Sequence, residues 1–459
     1  MTSKLIKHLS LCVAGLLFAL GTVAQPKLPE GYFWKKLPNG LEVVVIENSK
    51  VPLATIEIAV KNGAYTEGPE YSGLSHLFEH MFFKANKDYP NQEKFIKRTQ
   101  ELGMIWNGTT GDERVNYYFT FDRDSLKAGL NFMNAAIRFP IYRDEDMKKE
   151  RPVVDGEFQR AESDPGFTIQ YETGKRLWGD NFTRKNPIGD HEVINTATPA
   201  KMMIIKDKYY HPNNSLLIIC GDVKHDASFK MAEDIFGSWP SSGFDPHVKY
   251  PIPPFKPLTK DDFFVKETSI AQTPYMTYNW QGPSYLTDSV GTLAADVFST
   301  VVGLNSSKLQ QALVDKGLAS SVDVSYQTAK YTGPIEIFVV PNPNKLKECH
   351  EEVLKQVSLW DSPDYYTDEQ LKDAKAKLYR TNLRSKEKPS SLASQLSYHW
   401  CSTSLDYFTD LDSDYQSITR ADIKNYIDKY IIGKPKVAGI VINPELSKQL
   451  NVASFFVAK

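Results

Sequence analysis

Short runs rich in β-branched residues recur along the chain. They fall at LEVVVIE (41–47), ATIEIAV (54–60) and SLLIICGDV (215–223), then again at FFVKETSIAQTPYMTYNW (263–280) and VAGIVINP (437–444). Such runs read as strands. Between them lie stretches whose apolar positions recur at helical spacing. These are FIKRTQELGM (95–104) and SLKAGLNFMNAAIRF (125–139) in the first part, and SVGTLAADVFSTVV (289–302) and NKLKECHEEVLKQVSLW (344–360) in the second. A further helix, DEQLKDAKAKLYR, follows PDYYTD with Thr367 placed as its cap. Both parts open and close on strands and carry helices between them, the plan of two similar α+β domains.

A proline-rich stretch, PSSGFDPHVKYPIPPFKP (240–257), interrupts the pattern and reads as a connection between domains. It divides the chain into residues 25–240, a linker at 241–257 and residues 258–459. A length of 459 residues suits two domains of about 200 residues each. The N-terminus differs from the rest. Lys4 and Lys7 precede an apolar run from Leu9 to Ala24, with small residues Thr22 and Ala24 at its end. This is the pattern of a secretory signal peptide over residues 1–24. The run is short for a membrane span, so export across an inner membrane, into a periplasm, is the expectation, with no membrane attachment after cleavage. Of the remaining cysteines, Cys220, Cys349 and Cys401 match no zinc spacing and allow one intramolecular disulfide at most. The formal net charge of −2 carries no nucleic-acid footprint.

The chemistry concentrates in GLSHLFEHMFF (73–83). Helical spacing sets His76 and His80 one turn apart on one face, where two imidazoles can share one tetrahedral Zn²⁺. Glu79 lies between them in projection, within reach of a water at the same ion. Leu74, Leu77, Phe78 and Phe82 supply the apolar neighbours. A catalytic zinc site takes three protein ligands and keeps one position open. The third ligand must come from elsewhere, and ERPVVDGEFQR (150–160) offers Glu150 and Glu157, seven residues apart and on one face of a helix. Either carboxylate can ligate, leaving the other to orient a histidine. Pro152 and Gly156 weaken helical continuity here, so that helix is expected to start or bend near Glu150.

In these residues the chain resembles the pitrilysin family of zinc peptidases, the group of insulin-degrading enzyme and the mitochondrial processing peptidase. The family pattern is H-x-x-E-H followed, after 76 residues, by a glutamate, and 76 residues separate His80 from Glu157. The family's second glutamate stands seven before the ligand, at Glu150. KNGAYTE (61–67), MIWNGTTGDERVNYYF (104–119) and YYHPNNSLLIICGDV (209–223) match further landmarks in order. The resemblance implies two homologous domains in a clam-like arrangement, each a mixed, largely antiparallel sheet packed with helices. It implies one Zn²⁺ per chain held by His76, His80 and Glu157. Glu79 takes a proton from the attacking water, and Glu150 assists by orienting a ligand and tuning charge. It also implies that Asn107, Gly108, Thr109 and Thr110 form an edge strand that pairs with a peptide or an unfolded segment of protein.

One segment departs from the family. Active members carry an arginine and a tyrosine that steady the substrate carbonyl. In SSKLQQALVDKGLASSV (306–322) the tyrosine position is Ser320, and the arginine position falls on Leu313 or Val314. Such donors are worth about 2.7–4 kcal/mol each. Family members that divide labour place the zinc on one subunit and this pair on another. The resemblance therefore implies a heterodimer with a zinc-free relative, unless Tyr326 or Lys308 replaces the pair. A zinc-holding but non-cleaving subunit is the rival reading, and the intact Glu79 argues against it. His211 reads as a solvent-facing turn residue, and His399, Trp400 and Cys401 as part of a packed helix.

Overall fold

The computed structural model describes residues 26–457. The expected signal peptide lies outside them. Strands β1 (Tyr32–Lys36), β2 (Glu42–Glu47), β3 (Leu53–Val60), β4 (Ile105–Thr110), β5 (Val115–Asp122) and β6 (Ser215–Gly221) form one sheet in the order β1-β2-β6-β3-β5-β4. Strands β7 (Asp262–Glu267), β8 (Tyr275–Gln281), β9 (Ala319–Tyr326), β10 (Pro334–Pro341) and β11 (Val437–Ile442) form a second, in the order β7-β11-β8-β10-β9. Only β2–β6 and β7–β11 pair in parallel; the other pairs are antiparallel.

One topology occurs twice. The last strand of each set inserts between two earlier, consecutive strands, β6 between β2 and β3 and β11 between β7 and β8. A hairpin forms the far edge of each sheet, ending on β4 in one and β9 in the other. The apolar run 263–280 is two strands rather than one. Pro274, which has no N–H to donate, stands just before β8, and β7 and β8 take opposite sides of β11. The helix expected at 95–104 spans Gln92–Glu101, because the Asn91 side chain accepts the Lys94 N–H at 2.9 Å and starts it earlier. Thr367 and Gln370 form a reciprocal capping box at the head of the helix Asp368–Ser385.

The sheets need cover on both faces. β6 is buried along its whole length, and so is β11. Helices α1 (Leu74–Phe82), α2 (Gln92–Glu101), α3 (Leu126–Arg138) and α4 (Asp144–Glu162) pack with the first sheet's main core. The opposite face of that sheet is covered from the far end of the chain. Leu392, Leu396, Trp400 and Phe408 lie on Val44, Ile46, Leu216 and Ile218. In return, α5 (Pro165–Trp178) sets Ile169, Leu177 and Trp178 against Phe264, Val437 and Val441 of the second sheet. Each sheet is thus completed by a helix from the other half. Cys220, Cys349 and Cys401 are buried free thiols. Among the described residues no helix is long and apolar enough to cross a membrane.

Leu396 is fully buried against the first sheet although it follows the last strand of the second sheet's hairpin in sequence. Leu396→Ala is expected to cost about 2–5 kcal/mol, read as a lower midpoint in urea denaturation. An unchanged midpoint would show that this helix is not a structural part of the first sheet.

Candidate metal centre

Helix α1 is nine residues long, short for a helix that must hold two side chains in register. Its N-cap, Gly73, has φ of +86°, a conformation that favours glycine, and the cap side chain is missing. Glu67 fills that role from a preceding turn. Its carboxylate accepts the N–H of Gly73 at 2.7 Å and of Ser75 at 2.6 Å. This meets two of the free donors at the positive end of the helix dipole. Burial pushes the Glu67 carboxyl up to about 8, against the lowering effect of those hydrogen bonds. Aromatic stacking fixes the other side of the helix. Phe82 lies on Tyr117 at 3.8 Å and Phe78 on Tyr210 at 4.1 Å, and the next residue, Phe83, lies on Trp106 at 4.4 Å.

Helix α4 supplies the carboxylates. It begins at Asp144 and runs unbroken through Pro152 and Gly156, so the expected start or bend near Glu150 is corrected. Three acidic residues in its first turn favour the early start. The buried face of Met147, Glu150, Val154 and Phe158 holds the helix in place despite the proline.

Across α1 and α4, Nε2 of His76 and Nε2 of His80 each lie 3.6 Å from Oε2 of Glu157. The three ligand atoms are within 4.8 Å of one another. The N···O separations exceed hydrogen-bond length. They are close to the ~3.4 Å expected between two donors each ~2.0–2.1 Å from one tetrahedral Zn²⁺. Two imidazoles and one carboxylate are also a donor set suited to that ion, so the residues present fit it.

Glu150 sits behind this cluster. Its Oε1 is 2.8 Å from His80 Nδ1, and its Oε2 is 2.5 Å from Lys84 Nζ. An ionised carboxylate only accepts, so His80 presents a proton on Nδ1 to Glu150, and Nε2 is the ring nitrogen that faces Glu157. Both oxygens of Glu150 are engaged away from the two Nε2 atoms, which leaves Glu157 as the carboxylate that faces them. Burial opposes ionisation of Glu150, yet hydrogen bonds from His80 and Lys84 hold its carboxyl below the ordinary range. For His76, burial and then the neighbouring His80 lower the imidazole to about 4, so it is neutral at pH 7. For His80, burial is outweighed by the Glu150 hydrogen bond and the surrounding carboxylates, and its pKa is raised.

Glu79 is buried beside the cluster. Burial, opposed by His80 and by the Thr110 hydrogen bond, raises its carboxyl to about 7. Thr110 Oγ1 donates to Glu79 Oε2 at 3.3 Å. At Gly108 a Cβ would stand 2.6 Å from Glu79 Oε1, so only glycine lets the β4 backbone pass this close to the carboxylate. Among the described residues, β4 is the outer strand of its sheet and pairs only with β5. Asn107 and Thr109 are exposed on it, and Gly108 and Thr110 turn toward α1. All nine residues singled out in the sequence therefore lie on α1, α4 and β4, around one another.

The two substitute donors considered in the second half, Tyr326 and Lys308, are engaged elsewhere. Ser320 bonds the Val340 carbonyl at 3.2 Å, and Leu313 is fully buried. The Tyr326 phenol donates to Pro283 O at 3.0 Å, and Lys308 Nζ donates to Asp364 O at 2.7 Å. His211 bonds Asp207 O in a turn, and His399, Trp400 and Cys401 are buried within the helix Pro389–Ser402. Lys84 and Glu67 were not singled out in the sequence. Each is one charged residue near a landmark, and only its contacts distinguish it from a solvated one.

Comparison with known proteins finds peptidase relatives. Residues 42–176 match the family described as insulinase (peptidase family M16), and residues 198–378 match the peptidase M16 inactive domain. An uncharacterized zinc protease of Rickettsia felis is 25% identical over 79% of this chain and 85% of its own length. In fold, the chain resembles a protease from Helicobacter pylori (TM-score 0.79, 20% identity, 91% of this chain and 100% of that one). It also resembles the first half of the periplasmic protease PqqL from Escherichia coli (TM-score 0.74, 15% identity, 93% and 94%).

Glu150→Gln is expected to weaken Zn²⁺ binding about 10–100-fold, measured by competition with a chromogenic chelator. Glu157→Gln should weaken it further. Equal affinity in both variants and the unaltered chain would remove α4 from the centre.

Proposed function

This chain belongs to the pitrilysin (M16) family of peptidases, and from that premise we propose that it is a zinc-dependent metalloendopeptidase acting on peptides or unfolded segments. The observation that carries the reading is the convergence of His76, His80 and Glu157 beside a buried Glu79 and a free strand edge. In this reading the first three residues hold one Zn²⁺. When bound, that ion polarises the peptide carbonyl and lowers the pKa of water to ~7.

The chain's own residues do the rest. Glu79 removes a proton from the attacking water and returns it to the departing amine. A carboxyl raised to about 7 suits both transfers, because it can hold the proton and release it near neutrality. Asn107, Gly108, Thr109 and Thr110 offer main-chain groups to an extended peptide. Gly108 keeps that strand close enough to Glu79 for the base to reach the peptide bond. Glu150, held by Lys84, orients His80.

The absence of an arginine–tyrosine pair supports a heterodimer, in which this chain is the zinc-bearing subunit and a zinc-free relative supplies the pair. The engaged states of Tyr326 and Lys308 support it further, as does the likeness to one half of a larger protease. The apolar N-terminal run, with the likeness to a periplasmic protein, supports export to the periplasm. A second reading, a subunit that binds peptides without cutting them, rests on the match of residues 198–378 to the inactive domain.

Mixing decides between them. The zinc-loaded chain should cleave a quenched peptide library when combined with a zinc-free relative carrying arginine and tyrosine, and poorly alone. No cleavage in either case, with zinc retained, would support the non-cleaving subunit. Glu79→Gln should lower cleavage about 10²–10⁴-fold and leave the zinc content unchanged. The acid limb of kcat/KM follows from the same residue. The base form of Glu79 is lost as pH falls through its pKa, so cleavage should decline below about pH 7, or lower where a bound cation depresses the carboxyl. An acid limb that persists unchanged in the residual activity of Glu79→Gln would exclude Glu79 as the base.

A further inference from the structure

The hairpin that ends on β4 turns at residues 111–114, and this turn is tied to the far half of the chain. Glu113 is 4% exposed. Its carboxylate accepts the backbone N–H of Lys330 at 2.8 Å and of Tyr331 at 3.4 Å. Both belong to the connection between β9 and β10, the topological counterpart of the 111–114 turn. Arg114 reaches a different element. Its Nη1 donates to the Ser394 carbonyl at 2.5 Å and to Ser397 Oγ at 2.7 Å, both on the helix that covers the first sheet. Ser397 Oγ in turn donates to Glu57, a buried carboxylate on β3. Arg114 Nη2 returns to β4 itself, donating to Thr109 Oγ1 at 3.4 Å.

These contacts are costly to build and to lose. A buried carboxylate and a guanidinium spent on one four-residue turn leave uncompensated charges if either partner is removed. Neither is needed to close the hairpin, which already has its own bond from Gly111 N–H to the Arg114 carbonyl at 2.9 Å. Both point out of the first half and into the second. An edge strand has one neighbour only, and its position is otherwise weakly specified. Here the same strand must pass within van der Waals contact of Glu79 at Gly108.

We propose that Glu113 and Arg114 are positioning residues, through which the second half holds the free edge of β4 in place over Glu79. The inference rests on the reading of β4 as the strand that receives the peptide. It gives the second half a task that does not depend on an arginine–tyrosine pair. The clamp acts on binding. Loosening it leaves the three metal-facing side chains where they are, because these sit on α1 and α4.

The test uses the full zinc-loaded chain in a Glu79→Gln background, so that bound peptide is not cut. Glu113→Ala removes every acceptor, and Glu113→Gln keeps one oxygen for the Lys330 and Tyr331 N–H groups. In Glu113→Ala, hydrogen exchange over residues 105–120 should rise about tenfold. The Kd for a mixed fluorescent peptide pool should weaken about tenfold, with zinc content and exchange in residues 74–82 unchanged. Glu113→Gln should recover most of both effects, as should not happen if any change at this position merely destabilises the fold. Unchanged exchange at 105–120, or a rise spread evenly over α1 and both sheets, overturns the proposal. If the peptide pool fails to bind even before Glu113 is altered, the peptide-strand reading fails, and the exchange measurement still decides the clamp.

Discussion

A nine-residue helix cannot hold two imidazoles in position by itself. Everything in the candidate centre depends on α1 being made rigid by its surroundings. Glu67 supplies the cap that Gly73 lacks, and three aromatic stacks press the helix and its end onto the sheet and the strand beside it. The chain Lys84–Glu150–His80 locks the second imidazole in one tautomer and joins α1 to α4. Only with the two helices fixed can Glu157 stand at equal distances from two Nε2 atoms. The same rigidity lets Glu79 remain buried and partly protonated rather than turning out to solvent.

The duplicated topology explains why so much chain surrounds so small a site. A sheet whose central strand is buried on both faces cannot stand with helices on one side only. Each half of this protein covers one face of its own sheet and lends a helix to the other. The two halves therefore share part of their hydrophobic cover. Sequence drift in the second half can remove its chemistry without removing it from the structure. The second half retains strand order and core while Ser320, and Leu313 or Val314, stand where the family resemblance would place tyrosine and arginine.

Charge is used sparingly and in pairs. Each buried carboxylate of the first half has a defined partner: Glu67 the helix amides, Glu150 a lysine and a histidine, Glu113 two backbone amides, Glu57 a serine linked to an arginine. Glu79 is the exception, with one long hydrogen bond from Thr110. Burial raises its carboxyl to about 7, as it raises that of Glu67 to about 8, while hydrogen bonds from His80 and Lys84 hold that of Glu150 below the ordinary range. Glu79 and Glu150 are thus pushed in opposite directions by their surroundings.

The sequence by itself marked five strand-like runs, the two-part α+β plan and the candidate residues of the centre. Spacing carried them. His76 and His80 share a face because helices turn every 3.6 residues, and Glu150 and Glu157 share one for the same reason. Spacing could not say which carboxylate faces the imidazoles, because both are on that face. The tertiary structure decided it by placing Lys84 against Glu150. Nor could the sequence show that α4 runs through Pro152, since packing of its buried face outweighs a local preference. The exchange of helices between halves, and the ties from Glu113 and Arg114 to residues more than two hundred positions away, were equally hidden. Periodicity reports which face of an element is buried and not what buries it, and long-range partners are chosen only when the whole chain has closed around them.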